Sequence, residues 1–197
     1  MNSEDVPSPI DFHDERDAGE WERNAMARPH RLDMFEALAN LLGRHHARRI
    51  IDLGAGPGFL ADYLLQLLPD LELTLLDFSV PMLRRARARL GQRAKSVRFI
   101  RRNFRESAWN EGLEEFDAAI SCQAVHELRH VSHAQQFHTA VRSILSPGGI
   151  YLVCDHFLGE GGMQHEALFM TVAGQAEALQ SAGFTVVRVL QKGSLVL

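Results

Sequence analysis

The sequence predicts an α/β protein, a mostly parallel sheet with helices on both faces. Three observations predict it. From Ile50 onward, short apolar runs rich in Ile, Leu and Val alternate with stretches of helical periodicity. The first such run leads into "DLGAGPG", with glycine at every second position, and a helical pattern follows at once. Two last apolar runs, separated around Lys192 and Gly193, read as a hairpin that brings one antiparallel strand into the sheet. The 197 residues suit one compact unit with a sizeable core.

In order, residues 1 to about 18 are polar, carry Pro7 and Pro9, and read as loose. "EWERNAMARPHRLDMFEALANLLG" reads as helix interrupted near Pro29, with Gly43 as C-cap. Ile50 to Leu53 is the first strand, and Phe59 to Leu68 a helix stopped by Pro69. "LELTLLD" is the second strand, ending at Asp77, and Ser79 caps the helix "VPMLRRARARLG". "VRFIRR", "FDAAIS" and "IYLVCD" are the third, fourth and fifth strands. The helix "SHAQQFHTAVRSIL" and the turn "SPGG" lie between the last two. A loop from His156 to about Met170 leads into a helix ended by Gly183, and "FTVVRVL" and "SLVL" form the hairpin. Residues 1–43 are expected to form a helical lid or extension, and residues 44–197 the main domain.

The formal charge of -4 gives no general attraction to nucleic acid or anionic lipid. An arginine-rich run from Arg84 to Arg105 reads as the solvated face of a helix and its exit loop. Two cysteines make no disulfide framework. There is no membrane-length apolar stretch, and the acidic N-terminus lacks a signal-peptide core. The expected setting is the cytoplasm, as a monomer or homodimer without membrane or nucleic-acid partners.

The glycine loop narrows the ligand. A phosphate loop needs a Lys after its glycines, and none is present. A dinucleotide fingerprint starting at Gly54 would need its third glycine where Phe59 stands. The pattern present is Asp52, Gly54, Gly56, Gly58. It resembles the first motif of the class I S-adenosylmethionine-dependent methyltransferases. The resemblance continues through Asp77, Asn103, "FDAAIS", "LSPGGIYLV" and "ALQSAGFTVVRV", from about residue 30 to the end. It implies a Rossmann-like three-layer sandwich with a seven-stranded sheet, and S-adenosyl-L-methionine as cofactor, leaving as S-adenosyl-L-homocysteine.

The resemblance also implies roles. Gly54, Ala55 and Gly56 bring the backbone to the methionine part and ribose of the cofactor, where residues without a Cβ allow close approach. Gly58 reads instead as close packing of helix on strand. Asp52 steadies the loop or reaches the cofactor amino group. Asp77 accepts from both ribose hydroxyls, or else serves as an acid at a helix N-terminus. Phe78 and Met82 flank the adenine, with core filling open for Phe78. Asn103 stands where Asp is commoner and accepts from the adenine amino group, and Phe104 offers its backbone N–H. Ser121 and Cys122 supply carbonyls to the cofactor amino group. Arg31, or equally Arg28, pairs with the cofactor carboxylate.

Methyl transfer from a sulfonium needs alignment first, and a base only where the acceptor must lose a proton. The candidates are His126, with Glu127 beside it, and His156, all at the carboxyl edge of the sheet. His126, His130 and His133 lack a matching acid for a metal, so no metal is expected. "SCQAVHEL" has neither the Pro-Pro-aromatic pattern of amino methylation nor the Pro-Cys of base-carbon methylation. It resembles the small-molecule branch. The acceptor is then expected under a cap made by the segment around Trp21 and the loop from Gly159 to Met170. Phe157, Met163, Phe169 and Met170 could line its pocket. A regulatory protein that binds the cofactor without transfer, and a nicotinamide-linked enzyme, are the alternatives.

Overall fold

The computed structural model describes residues 5–197, so residues 1–4 of the segment read as loose lie outside the described residues. Helices α1 (Glu15–Ala25) and α2 (Arg31–Arg44) precede strand β1 (Arg49–Leu53). Then follow α3 (Phe59–Leu67), β2 (Glu72–Asp77), α4 (Val80–Leu90), β3 (Arg98–Arg101) and β4 (Phe116–Cys122). The chain closes with α5 (Ala134–Ser143), β5 (Leu145–His156), α6 (Val172–Ser181), β6 (Gln191–Lys192) and β7 (Leu195–Val196). The strands form one seven-stranded sheet in the order β3-β2-β1-β4-β5-β7-β6. It is parallel from β3 to β5 and antiparallel where β7 meets β5 and β6. This is the Rossmann-like sheet and terminal hairpin that the sequence predicts.

The period-2 alternation of side chains builds both cores. Ile50, Leu73, Leu75, Ala118 and Ile120 face α2, α3 and α4, packing on Met34, Leu38, Leu42, Leu64 and Leu90. Ile51, Leu53, Leu76 and Ala119 face the other way, onto Phe137 and Val141 of α5. The first three strands step outward from β1, and the chain then returns to lay β4 on its other side. That reversal opens a crevice at the carboxyl ends of β1 and β4, where open α/β sheets hold ligands.

Five local expectations are corrected. Helix α2 continues through Gly43 to Arg44, and His46 takes the left-handed turn (φ +50°). Leu42 is fully buried, so the helix completes its turn before leaving the core. The Ser146–Gly149 turn forms inside β5: its register against β4 jumps from Phe116–Leu145 to Ala118–Ile150, a bulge with Gly148 at φ +80°. Residues 184–190 form no strand: Phe184 N–H donates to the Leu179 carbonyl, and Val189 and Leu190 bond to Leu197. A β-branched run becomes strand only beside a free edge, and β7 meets β5 at just two positions.

The N-terminal segment is also tied down from residue 5. Val6 N–H donates to the Arg129 carbonyl (2.9 Å), and the Arg129 side chain donates back to the Val6 and Pro7 carbonyls (both 2.8 Å). Asp5 pairs with Arg105 and His133. Asp14 caps α1 by accepting from the N–H groups of Arg16 and Asp17. Finally, the arginine face of α4 is only partly solvated: Arg84 and Arg87 are exposed, but Arg85 and Arg89 bind Glu22 of α1 at 2.8 and 2.5 Å, and Arg84 binds Glu15. Glu15 and Glu22, two helical turns apart, match that arginine row.

Candidate active site

The crevice is walled by the glycine loop, the ends of β2 and β4, helix α2 and the N-terminal strap of residues 5–14. Asp52, Gly54, Ala55, Gly56, Asp77, Phe78, Met82, Phe104, Cys122, His126 and Arg31 all line it, together with Arg28. Counted to its mouth it holds about 810 Å³ of open space. Phe12 of the strap and Trp21 of α1 close the roof, and Phe12 packs edge-on against both Trp21 and Phe78. Ser79 Oγ–H fastens the strap by donating to the Phe12 carbonyl (2.5 Å).

The three glycines have different reasons. A Cβ on Gly56 would meet no atom within 4 Å, and its φ of +55° is a left-handed conformation that favours glycine. Gly56 therefore borders open crevice. A Cβ on Gly54 would lie 2.5 Å from the Ala124 Cβ, so Gly54 is required by packing against the segment after β4. At Gly58 the Cβ would lie 2.9 Å from Ala86. The close packing expected there exists, but its partner is α4 rather than a strand.

Asp77 is 6% exposed and binds both elements beside it. Its Oδ2 accepts from Gly56 N–H and its Oδ1 from Ser79 N–H, each at 2.8 Å. The helix-terminus role is thus present, together with a tie to the glycine loop. Burial pushes the Asp77 carboxyl up to about 6 against the pull of these hydrogen bonds. Burial and the nearby Asp77 push Asp52 up to about 7. At the other end, Arg31 is 5% exposed, and its Nε and Nη2 have no hydrogen-bond partner among the described residues. Burial lowers its pKa. Arg28 and Arg31 both lie against the Trp21 ring, 5.4 and 5.5 Å from its centroid. A buried cation without an acid partner is costly, and an anionic ligand group would satisfy it.

His126 is held more tightly than the sequence suggests. Its Nδ1 lies 2.7 Å from Asp155 Oδ1, its backbone N–H donates to Asp155 Oδ2 (2.9 Å), and its Nε2 is 3.5 Å from Glu127 Oε1. Burial works to lower the His126 pKa, but the charge and hydrogen bond of Asp155, with Glu127, carry it above 6.5. His126 also borders a smaller cavity behind the crevice with His156, Phe169 and Met170. Its ring lies 5.5 Å from that of Phe169.

Several expected residues stand apart from the crevice walls. Asn103 accepts from Arg105 N–H and lines an adjoining space of about 800 Å³ beneath the strap, likewise counted to its mouth, which shares Phe12, Phe78, Phe104 and Glu127 with the crevice. Ser121 is fully buried and alternates toward the α5 layer, leaving Cys122 as the wall residue. His156 is engaged by Gln123 (3.2 Å) and Ser194 (2.8 Å) and reaches only the smaller cavity. His130 and His133 turn to Ser132 and Asp5, away from His126. Phe157 and Met163 line neither the crevice nor the smaller cavity.

Sequence reasoning missed Asp155, Phe12, Gln123 and Arg129. Asp155 had a usable signal, an acid near the carboxyl end of an apolar strand, as at Asp77. Phe12 had none beyond one aromatic in a polar stretch.

Residues 50–149 match the family model described as a methyltransferase domain, and the chain belongs to that family. Among solved structures it is similar to an O-methyltransferase family protein from Burkholderia thailandensis (18% identity, TM-score 0.77), covering 94% of this chain and 59% of that one. It is similar to human N-acetylserotonin methyltransferase in complex with S-adenosylmethionine (19%, TM-score 0.67), covering 97% and 58%. The DesVI protein of Streptomyces venezuelae is matched over 96% of this chain and 98% of its own (17%, TM-score 0.65). The chain thus spans under two thirds of the first two. No curated protein matches it significantly in sequence. Among the described residues no helix is long and apolar enough to cross a membrane.

Proposed function

We propose that this protein is an S-adenosylmethionine-dependent methyltransferase acting on the oxygen of a small-molecule acceptor. One observation carries the reading: a single crevice joins the buried acid Asp77, the buried Arg31 with no acid partner among the described residues, and the Asp155-held His126. The residues fit the cofactor chemically. Arg31, with Arg28, suits a carboxylate, Asp52 an ammonium group, and Asp77 the ribose hydroxyls. Phe78, Met82 and Phe104 suit a flat base reaching toward Asn103. A dinucleotide pyrophosphate fits poorly, because Asp77 already takes the Gly56 N–H and places an acid where that anion would lie. The bound cofactor would supply an activated methyl group with a neutral thioether as leaving group.

The protein's own residues do the rest. Asp155 fixes the His126 ring by Nδ1 and supports positive charge on it. That leaves Nε2 to take the acceptor proton as the new bond forms. Phe12 and Trp21 exclude water from the roof. The lid reading of the N-terminal residues belongs to this proposal, as does a reducing, cytoplasmic setting for two free thiols. The names of the O-methyltransferase neighbours support an oxygen acceptor. Incubation with S-adenosylmethionine and a panel of phenols and enols, followed by assay of S-adenosylhomocysteine, tests it. Acceptor-dependent product is expected. Tight cofactor binding with no product from any acceptor class would instead make the chain a binding protein.

A further inference from the structure

We propose that Cys122 and Cys154 form an oxidisable dithiol in the floor of the crevice, a modification site that takes a hydroperoxide and closes to a disulfide. The only two cysteines of the sequence are register partners on the neighbouring parallel strands β4 and β5. Their side chains therefore leave the sheet on the same face. Neighbouring strands lie about 4.7–4.9 Å apart, inside the roughly 4.4–6.8 Å Cα separation that a disulfide spans. Both thiols are free.

Their exposure differs in the way an oxidation relay needs. Cys122 is half-buried and lines the crevice, where a small oxidant can reach it. Cys154 is fully buried beside it. The Arg31 guanidinium interacts electrostatically with both sulfurs, so the pair sits beside the cation at the crevice wall. Hydrogen bonding to Cys122 and burial hold the Cys154 thiol well above its usual range, so it keeps its proton until its neighbour is oxidised.

The chemistry balances in two steps. The Cys122 thiolate attacks the peroxide, the O–O bond breaks, and sulfenic acid forms while alkoxide leaves and takes up the proton Cys122 released. The Cys154 sulfur then attacks the Cys122 sulfur. The S–O bond breaks, and the oxygen departs as water with the Cys154 proton and the sulfenic hydrogen. Two thiols and one hydroperoxide thus give one disulfide, one alcohol (water for hydrogen peroxide) and one water. The disulfide draws the Cys122 sulfur toward β5 and changes the floor beside Arg31, which weakens cofactor binding. That consequence rests on the S-adenosylmethionine reading, and the cross-link itself does not.

Wild-type protein treated with stoichiometric hydrogen peroxide should lose about 2 Da, the mass of two hydrogens, and yield a peptide pair joining Cys122 to Cys154. Dithiothreitol should restore the mass, and S-adenosylhomocysteine bound beforehand should slow the loss. Oxidised protein should bind S-adenosylhomocysteine at least about tenfold more weakly in calorimetry. Cys154→Ser should instead gain oxygen at Cys122, about 16 or 32 Da. Oxygen addition at Cys122 of the wild type without a link overturns the dithiol. A complete link with unchanged affinity overturns its control of the site. If the reduced protein does not bind S-adenosylhomocysteine, the cofactor reading fails while the mass measurement still decides the cross-link.

Discussion

Asp77 ends β2 with both carboxylate oxygens already occupied by backbone N–H groups, and each oxygen keeps a second acceptor site for a hydroxyl. Hydrogen bonds to a charged group contribute about 1.5–3 kcal/mol each, and two sharing one geometry do not add fully. Asp77→Ala should therefore weaken S-adenosylhomocysteine binding by about 2–4 kcal/mol, roughly 30- to 1,000-fold. A 2′-deoxyribose analogue should lose much less, and equal losses for both ligands would leave Asp77 a purely structural acid. The sign of the pH effect follows. Its carboxyl is raised to about 6, so the acceptor form is present above that value and disappears below it. Affinity should fall by up to about tenfold per unit as pH drops below 6. At His126 the direction is opposite in cause. Asp155 and Glu127 raise the imidazole above 6.5, and a base must be neutral, so kcat/KM should climb with pH through that raised value. Asp155→Asn removes the charge that favours the imidazolium. It should move this limb to lower pH and cut kcat by about 10²–10⁴, with S-adenosylhomocysteine affinity nearly unchanged. An unmoved limb in that variant would mean that His126 is not the titrating base. Asp52, Asp77 and His126 were legible from sequence because each ends or follows a strand at the ligand edge. Asp155 shares that position, but only tertiary structure brings it to His126, 29 residues away.

The glycine loop and the strap show why elements differ in legibility. The loop is local: strand, three alternate glycines and helix are contiguous, and the sequence pattern carries its shape. The separate duties of its glycines depend on partners far along the chain, Ala124 for Gly54 and Ala86 for Gly58. Matched substitutions separate them. Gly54→Ala meets Ala124 and takes on left-handed strain, and should cost about 2–4 kcal/mol of stability in urea unfolding. Gly56→Ala meets open space, and should cost about 1–2 kcal/mol of strain while lowering S-adenosylhomocysteine affinity at least about tenfold. Equal unfolding midpoints with equal binding losses would contradict this division. The strap was not legible. Its polar, proline-bearing sequence lacks any period, and its order comes from Arg129, 123 residues after Val6. The same dependence explains residues 184–190, whose β-branched run reads as strand until the sheet edge beside it proves too short.

At the scale of the molecule, the order β3-β2-β1-β4-β5 fixes where the site must be, because the sheet reverses between β1 and β4. Helix α2 brings Arg31 to one side of that reversal, β2 brings Asp77 to the other, and β4 with β5 sets His126 against Asp155. Helix α1 docks on the arginines of α4 and lowers Trp21 over the top, beside Phe12 of the strap. The result suits a zwitterionic nucleoside better than a dinucleotide, and calorimetric titration of the wild-type protein at pH 7.5 with S-adenosylhomocysteine and, separately, NADH tests that claim most directly. The account predicts micromolar S-adenosylhomocysteine binding, about -8 kcal/mol, with NADH far weaker or silent. Tighter binding of NADH, or no heat from either ligand, would contradict it.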